Sequence, residues 1–367
     1  MAVTINSTPK KDGFYMPGEF ELQSGIWTGW PIRPDVWRAG GYPGQKTMAE
    51  VIKAIARFEH VTVLCCESMY DYARAALPED PNIDVVEMSY DDSWLRDCGT
   101  TFVVDGKGGI RGVDWDFNAW GGLEEGFYFP WDKDDKVAKK MLAIEGLDRY
   151  KAPFVLEGGS IHSDGEGTVL TTEECLLGHN SNPQMGKEEY TEALKEYLGA
   201  DKVLWIPNGI VYDSVYGHVD NMACFVKPGV VLLNWCDDEN DEQYAVSMEA
   251  YEYLSSQTDA KGRKLEIHRI HQPDTMYLTE EEAYSFSCVD TTTSYQPGDR
   301  VAASYINFLI VNGGIIYPTF GDEVHDKAAQ QKLEELFPER EVVGIYTREL
   351  AMGGGNIHCM TQQQPKV

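Results

Sequence analysis

The chain has 367 residues, of which 43% are hydrophobic and 25% are charged, a composition that excludes disordered and collagen-like classes. Its 60 acidic residues outnumber 31 basic ones, so the formal net charge is −29. Such a negative chain is unsuited to nucleic acid or to an anionic membrane surface, whereas it favours a small cationic partner.

The sequence lacks targeting signals and metal-binding motifs, which predicts a soluble protein of the cytoplasm. The N-terminal residues contain no apolar core of a secretory signal, and no apolar run reaches the roughly 18 residues that a membrane helix needs. The eight cysteines are scattered without any C-x-x-C pair, so we expect reduced thiols and no zinc site.

Predicted helices and strands alternate along the chain. Apolar residues recur every three or four positions in six segments, which predicts helices over residues 48–58, 70–77, 136–143, 187–198, 242–254 and 326–337. Short β-rich runs predict strands over residues 61–64, 83–88, 202–206, 265–270 and 342–345. Residues 272–300 lack either pattern and are predicted to be a surface loop.

Four segments resemble one another, each with two β-rich runs around a glycine-containing turn, as in a hairpin. They are residues 101–115, 160–172, 221–235 and 305–318. The recurring unit of helix, strand and hairpin predicts a repeat architecture. Pairing of residues 26–30 with residues 356–361 would complete a fifth unit and close a ring, so we expect one domain over 1–367. Two separate domains would need a linker, and no linker-like segment stands out.

Chemically reactive residues lie just ahead of these hairpins. Asp97, Glu157 and His218 occupy nearly equivalent places in successive units, Asp220 follows closely, and Cys359 lies near the C-terminus. In a ring of such units, equivalent strand starts meet near the axis, so these side chains are predicted to face one cavity. Neighbouring glycines allow backbone or ligand to approach closely.

This set of side chains predicts nucleophilic chemistry on a cation. A thiol is a strong nucleophile, and an imidazole can accept its proton or protonate a leaving group. Three buried carboxylates need a metal ion or an organic cation to offset their charge. A guanidinium group suits two fixed carboxylates because it pairs with each through two N–H groups.

Several motifs resemble those of agmatine deiminases, in the guanidino-group-modifying (pentein) superfamily. They include GGGNIHCMTQQQP at 353–365, WLRDCG at 94–99, FVLEGGSIH at 154–162 and GHVDN at 217–221. The resemblance implies a five-bladed α/β propeller with pseudo-fivefold symmetry. It also implies hydrolysis of agmatine to N-carbamoylputrescine and ammonia without metal or organic cofactor, in a cytoplasmic protein that forms a homo-oligomer.

The resemblance assigns a role to each matching residue. Cys359 is the implied nucleophile that forms a covalent amidino intermediate, His218 the general acid and base, and Glu157 the acid that supports His218. Asp97 and Asp220 are the implied guanidinium-binding pair. Residues Trp94, Trp120 and Gly355 are implied to line the substrate pocket. Three positions depart from the family pattern, namely Thr100, Tyr216 and Asn221.

Other functions remain open at this point. The substrate could be arginine, a peptidyl arginine or a methylated guanidine instead of agmatine. The chain could be a polyamine-binding protein without catalysis. A divalent-metal hydrolase would use His218, Asp220, His162 and Glu157 as ligands, but it leaves Cys359 without a role.

Overall fold

The computed structural model describes residues 2–178, 181–289 and 294–367, which form strands, helices and short 3₁₀ turns. The strands are β1 (Thr4–Ile5), β2 (Gln23–Gly29), β3 (Val61–Cys65), β4 (Ile83–Glu87), β5 (Thr101–Val104), β6 (Ile110–Asp116), β7 (Arg149–Val155), β8 (His162–Ser163), β9 (Thr168–Thr172), β10 (Lys202–Ile206), β11 (Ala223–Lys227), β12 (Val230–Trp235), β13 (Glu266–His271), β14 (Met276–Tyr277), β15 (Arg300–Val301), β16 (Leu309–Val311), β17 (Gly314–Thr319), β18 (Glu341–Tyr346) and β19 (Thr361–Pro365).

The helices lie between these strands, and several are single turns. They are α1 (Pro9–Asp12), α2 (Tyr42–Ala56), α3 (Tyr70–Ala76), α4 (Leu95–Cys98), α5 (Gly122–Glu125), α6 (Val137–Glu145), α7 (Glu173–Gly178), α8 (Lys187–Leu198), α9 (Val219–Met222), α10 (Glu242–Ser256), α11 (Glu280–Ala283), α12 (Glu323–Leu336) and α13 (Arg348–Met352). The 3₁₀ turns are Ala39–Gly41, Glu67–Met69, Asp134–Lys136 and Gly158–Ser160.

Within the described ranges, five sheets share one topology. In each, an antiparallel strand pair is extended by a parallel strand: β5-β6-β7, β8-β9-β10, β11-β12-β13, β16-β17-β18 and β19-β2-β3. A helix connects the two parallel strands, as expected for such a crossover. The repeat predicted from the sequence is therefore present, and its strands and helices match the predicted ones closely.

The two ends of the chain meet in one of these sheets. Strand β19 pairs antiparallel with β2, with Thr361 opposite Thr28 and Gln363 opposite Ile26. The predicted pairing of the two ends is confirmed, but its position differs from the prediction. Residues 357–360 form a turn, and the strand begins at Thr361. Cys359 therefore lies in a turn ahead of the strand, which is the place that the other reactive residues occupy in their own units.

Two further differences concern elements that the sequence pattern hid. Strand β7 escaped prediction because its sequence, RYKAPFV, contains only one β-branched residue. Residues 272–300, predicted to be a surface loop, contain α11 and the paired strands β14 and β15. Residues 290–293 of that segment lie outside the described part of the chain.

Helices bury the faces that the sequence predicts. On α8, Tyr190, Leu194 and Leu198 are buried, and on α12 Ala329 and Leu333 are buried. Burying these apolar stripes against the sheets supplies most of the stability of such short helices. Among the residues described, none of the helices combines the length and the apolar character needed to cross a bilayer.

Candidate active site

The five predicted catalytic residues lie together, each at the start of a strand pair. Asp97 lies on α4 before β5, Glu157 before the 3₁₀ turn that leads to β8, and His218 and Asp220 at the start of α9 before β11. Cys359 lies in the turn before β19. All five side chains are at most 3% exposed.

Two glycines allow these turns to approach one another. A Cβ atom built on Gly159 would lie 2.5 Å from His218 Nδ1 and 2.9 Å from both Asp97 Oδ1 and Asp220 Oδ2. A Cβ on Gly158 would lie 2.1 Å from the carbonyl oxygen of Arg96. The imidazole and the two carboxylates therefore converge on the backbone of Gly159, where a larger residue would not fit.

The thiol of Cys359 lies between a carboxylate and an amide. It donates to Asp220 Oδ2 at 3.4 Å and accepts a hydrogen bond from Asn307 Nδ2 at 3.0 Å. Burial raises the pKa of the Cys359 thiol well above its ordinary value, and the carboxylates of Asp220 and Asp97 raise it further. The thiol is therefore protonated when no cation occupies the site.

Asp97 is held by two donors. Its Oδ1 accepts the backbone N–H of Gly159 at 2.8 Å, and its Oδ2 accepts the indole N–H of Trp120 at 3.1 Å. Burial raises the pKa of Asp97, and His218 opposes that rise. Trp120, predicted to be a pocket wall, is thus also a hydrogen-bond donor that orients this carboxylate.

His218 is surrounded by acids. Its Nδ1 lies 3.8 Å from Asp97 Oδ1, and its backbone N–H donates to Asp213 Oδ2 at 3.0 Å. Burial disfavours the imidazolium form, but the nearby carboxylates of Asp97, Asp220, Glu157 and Asp213 outweigh it and raise the pKa of His218. His218 is therefore suited to carry a proton near neutral pH.

Glu157 lies behind His218 and has spare hydrogen-bonding capacity. Burial raises its pKa to about 7, with His218 acting in the opposite sense. Its Oε1 atom is buried and has no hydrogen-bond partner among the residues that the structure describes. Asp220 Oδ1 is likewise buried and unpartnered. Because unpaired buried oxygens are costly, both atoms are suited to accept N–H groups of a ligand.

Trp94 and Gly355 flank the thiol. A Cβ on Gly355 would lie 2.6 Å from the Trp94 ring and 3.1 Å from Cys359 Sγ. The Trp94 ring stacks on Trp37 with 5.0 Å between centroids and meets Trp120 edge-on at 6.3 Å. The structure therefore brings every predicted site residue into one cluster.

Sequence patterns did not predict the residues that support this cluster through hydrogen bonds. Asn307 accepts the backbone N–H groups of His358 and Cys359 at 3.0 and 3.3 Å. It lies just ahead of β16, so the hairpin repeat itself was the signal that could have identified it. His358 and Glu19 were missed because their contact joins opposite ends of the chain.

One position that departs from the family pattern has a role in the same cluster. Asn221 Oδ1 accepts a hydrogen bond from Asn307 Nδ2 at 3.0 Å. The other two departures face structural partners: the Thr100 hydroxyl donates to the carbonyl of Val113, and the Tyr216 hydroxyl donates to that of Glu125.

The metal-hydrolase alternative fails on geometry. In the described residues, His162 groups with Glu19 and His358, whereas Glu157 and His218 group with Cys175. His162 therefore lies outside the group that contains Glu157 and His218, and Asp220 belongs to neither of these groups of described residues. Glu19 is also paired with the Arg96 guanidinium at 3.2 Å, so a cation already meets that carboxylate.

A cavity of about 710 Å³ lies beside the cluster. Asp213 and Gly354, which line it, adjoin the catalytic side chains through His218 and Gly355. Several acids also line the cavity, including Asp238, Asp241, Glu242 and Asp299. None of the five catalytic residues is among the residues that line it, so the cavity is an acidic space next to the buried site.

Comparison with known proteins gives the family. The sequence profile of the Porphyromonas-type peptidyl-arginine deiminases matches residues 15–365. The chain belongs to this family. The resemblance to agmatine deiminases read from the motifs is confirmed by individual relatives.

Relatives named agmatine deiminase match almost the whole chain. The agmatine deiminase of Pseudomonas aeruginosa strain UCBPP-PA14 is 54% identical over 360 residues, which cover 98% of this chain and 97% of that one. The protein of the same name from Pseudomonas fluorescens strain Pf-5 is 53% identical and covers 99% and 98%. The structure of the Enterococcus faecalis agmatine deiminase superposes with a TM-score of 0.96 at 47% identity and covers 100% of both chains. The predictions of an α/β fold and of a deiminase-family enzyme are thus confirmed.

Proposed function

We propose that this protein hydrolyses agmatine to N-carbamoylputrescine and ammonia through a covalent amidino-cysteine at Cys359. The observation that carries the proposal is the convergence of one thiol, one imidazole and several buried carboxylates around Gly159. The similarity to agmatine deiminases supports the same reaction.

Binding of the guanidinium satisfies the unpartnered atoms of the site. Its N–H groups bind Asp97 and Asp220, with Asp220 Oδ1 and Glu157 Oε1 as free acceptors. Trp94, Trp120 and Gly355 border the same space. A buried cation among these acids replaces the solvation that each lost on folding.

Substrate binding also activates the nucleophile. Burial and the carboxylates keep the thiol protonated in the free protein, because both raise the pKa of Cys359. A guanidinium beside the sulfur adds positive charge and stabilises the thiolate. The thiol proton passes to neutral His218, and the thiolate remains facing the central carbon of the substrate.

Two addition–elimination steps then follow. The sulfur bonds to the guanidinium carbon, His218 protonates one nitrogen, and the C–N bond breaks to release ammonia and leave a thiouronium. His218 next accepts a proton from water, whose oxygen bonds to the same carbon. The C–S bond breaks, the thiol regains its proton, and the urea product leaves. One water is consumed and one ammonia is formed.

The acidic cavity favours a substrate with a cationic tail. In the part of the chain that the structure describes, Arg300 is the one basic residue in its lining, and it forms a bidentate ion pair with Asp241 at 2.9 and 3.0 Å. The α-carboxylate of arginine would meet these acids, whereas the amine of agmatine carries the opposite charge. Asp213, with a pKa raised by burial to about 6, lines the cavity and accepts a hydrogen bond from the backbone N–H of His218.

A comparison of substrates tests the proposal. We expect ammonia release from agmatine with kcat/KM at least about a hundredfold above that for arginine, since repelling a charged group costs on the order of several kcal/mol. Equal or faster release from arginine would contradict the agmatine assignment. Tight agmatine binding without any ammonia would instead support the polyamine-binding alternative.

The finer points of architecture belong to the same proposal. Five sheets of one topology and the pairing of the chain ends support a single domain over 1–367 shaped as a five-bladed propeller. The cytoplasmic location and the homo-oligomer stay predictions.

A further inference from the structure

His358, next to the nucleophile, contacts a carboxylate with each ring nitrogen. Its Nδ1 lies 2.9 Å from Asp220 Oδ2, and its Nε2 lies 2.9 Å from both carboxylate oxygens of Glu19. A neutral imidazole carries only one N–H, so one nitrogen would face an anion with a lone pair. Two such contacts at hydrogen-bond distance indicate an imidazolium.

An arginine and a second histidine also lie near Glu19. The Arg96 guanidinium lies 3.2 Å from Glu19 Oε1, and His162 Nε2 lies 3.7 Å from Glu19 Oε2. The rings of His162 and His358 are stacked, with 6.3 Å between centroids. Burial and Arg96 disfavour charge on His358, but Glu19 and Asp220 outweigh them and raise its pKa.

The contact with His358 gives the two carboxylate oxygens of Asp220 different roles. Oδ2 accepts hydrogen bonds from His358 and from the Cys359 thiol, whereas Oδ1 is buried and has no partner within the described part of the chain. Because a carboxylate is planar, fixing Oδ2 also fixes the direction of Oδ1. Burial acts to raise the pKa of Asp220, but the hydrogen bond from His358 and the positive charges of His358, His218 and Arg96 together outweigh burial and lower that pKa.

We propose that His358, held as an imidazolium by Glu19, is a positioning residue that keeps Asp220 ionised and its Oδ1 directed at the substrate guanidinium. This inference rests on the proposed function, in which Asp220 binds the guanidinium. Through His358, the negative charge of Glu19 thus acts on Asp220 in the substrate site, although Glu19 itself does not contact the substrate.

The test separates this role from general support of the fold. Chloroacetamide and chloroacetamidine are nearly the same size and alkylate a thiol by the same displacement of chloride, but only chloroacetamidine is a cation that resembles a guanidinium. We expect the wild-type protein to react at Cys359 much faster with chloroacetamidine. The Glu19→Gln variant keeps a hydrogen-bonding partner for His358 and removes the charge that holds its proton.

In Glu19→Gln we expect the preference for the cationic reagent to fall about tenfold or more, with the reaction of chloroacetamide nearly unchanged. The KM for agmatine should rise by a similar factor, which corresponds to about 1.4 kcal/mol. Glu19→Asp, which retains the charge, should recover part of the preference. His162→Gln, which leaves the contacts of Asp220 intact, is the matched control and should retain it.

Two outcomes in Glu19→Gln would contradict the inference. An unchanged preference in Glu19→Gln overturns it, as does an equal loss with both reagents, which would show a purely structural role. If Glu19→Gln does not fold, His358→Gln replaces it with the same expectations. If the wild type itself shows no preference for the cation and releases no ammonia from agmatine, the proposed function fails first.

Discussion

Asn307 donates a side-chain N–H to Cys359 Sγ, with 3.0 Å between nitrogen and sulfur. The Oδ1 atom of the same side chain accepts the backbone N–H groups of His358 and Cys359. One amide therefore fixes both the turn that carries the nucleophile and the sulfur itself. It also supplies a donor that stabilises negative charge on the sulfur.

Replacing this amide with an acid should impair catalysis. Asn307→Asp removes the donor and places a further carboxylate beside the sulfur, which raises the pKa of the thiol. We expect kcat for agmatine to fall roughly 10- to 100-fold, the equivalent of about 1.5–3 kcal/mol for a hydrogen bond to a charged group. The rate of Cys359 alkylation against pH checks this, and an unchanged midpoint would show that the amide does not act on the thiol.

Gly159→Ala should strongly reduce activity. The added methyl group would lie 2.5 Å from His218 Nδ1 and 2.9 Å from the carboxylates of Asp97 and Asp220. These groups must move apart, so we expect at least about a hundredfold loss of kcat/KM. Gly178→Ala is a suitable control. Apart from its chain neighbours and the backbone of its own helix, the nearest described atom, Glu174 Cγ, would lie 4.0 Å from the added methyl group. Comparable activity in the two variants would contradict the site geometry.

Trp120→Phe tests whether the indole N–H orients Asp97. The substitution keeps an aromatic ring and removes the donor that lies 3.1 Å from Asp97 Oδ2. Loss of a hydrogen bond to a buried carboxylate costs about 1.5–3 kcal/mol. We expect kcat/KM for agmatine to fall by roughly 10- to 100-fold with the circular dichroism spectrum retained. A loss smaller than threefold would assign Trp120 to packing alone.

Acid pH should weaken substrate binding. Glu157, whose pKa burial raises to about 7, is neutral in the free protein below that pH and cannot then attract a guanidinium. We therefore expect kcat/KM for agmatine to decrease as the pH falls through about 7. A profile that stays flat down to pH 5 would contradict the assignment of Glu157 to the substrate site.

The same group has a predictable effect on stability. Because its folded-state pKa is raised, the folded protein holds its proton more tightly, and this contribution to the free energy of unfolding is lost as the pH rises through about 7. Glu157→Gln removes the buried anion. Its melting temperature should therefore exceed that of the wild type by more at pH 8 than at pH 5, which calorimetry can measure.

The sequence predicted the reactive residues of the site better than the residues that hold them in place. Asp97, Glu157, His218, Asp220 and Cys359 could be found because the hairpin repeat places them equivalently, and family motifs agreed. Asn307 occupies the same position in its own unit. It was not predicted because an amide is neither a nucleophile nor an acid or base. His358 and Glu19 could not be paired, because no local pattern encodes a contact across 339 positions.

Errors in the fold have similar physical causes. Strand β7 is held by its neighbours in the sheet and not by intrinsic strand propensity, so its sequence resembles a loop. The start of β19 was misplaced because the apolar residues Ile357 and Met360 are buried in a turn, not in a strand.

Trapping the intermediate tests the central claim most directly. Acid quenching during turnover of agmatine, followed by mass spectrometry of the Cys359 peptide, should show an added mass equal to agmatine less ammonia. The adduct should be absent from Cys359→Ala and present in Cys288→Ser, a change at an exposed thiol. Continued ammonia release by Cys359→Ala, with no adduct at any stage in the wild type, would contradict covalent catalysis by this thiol.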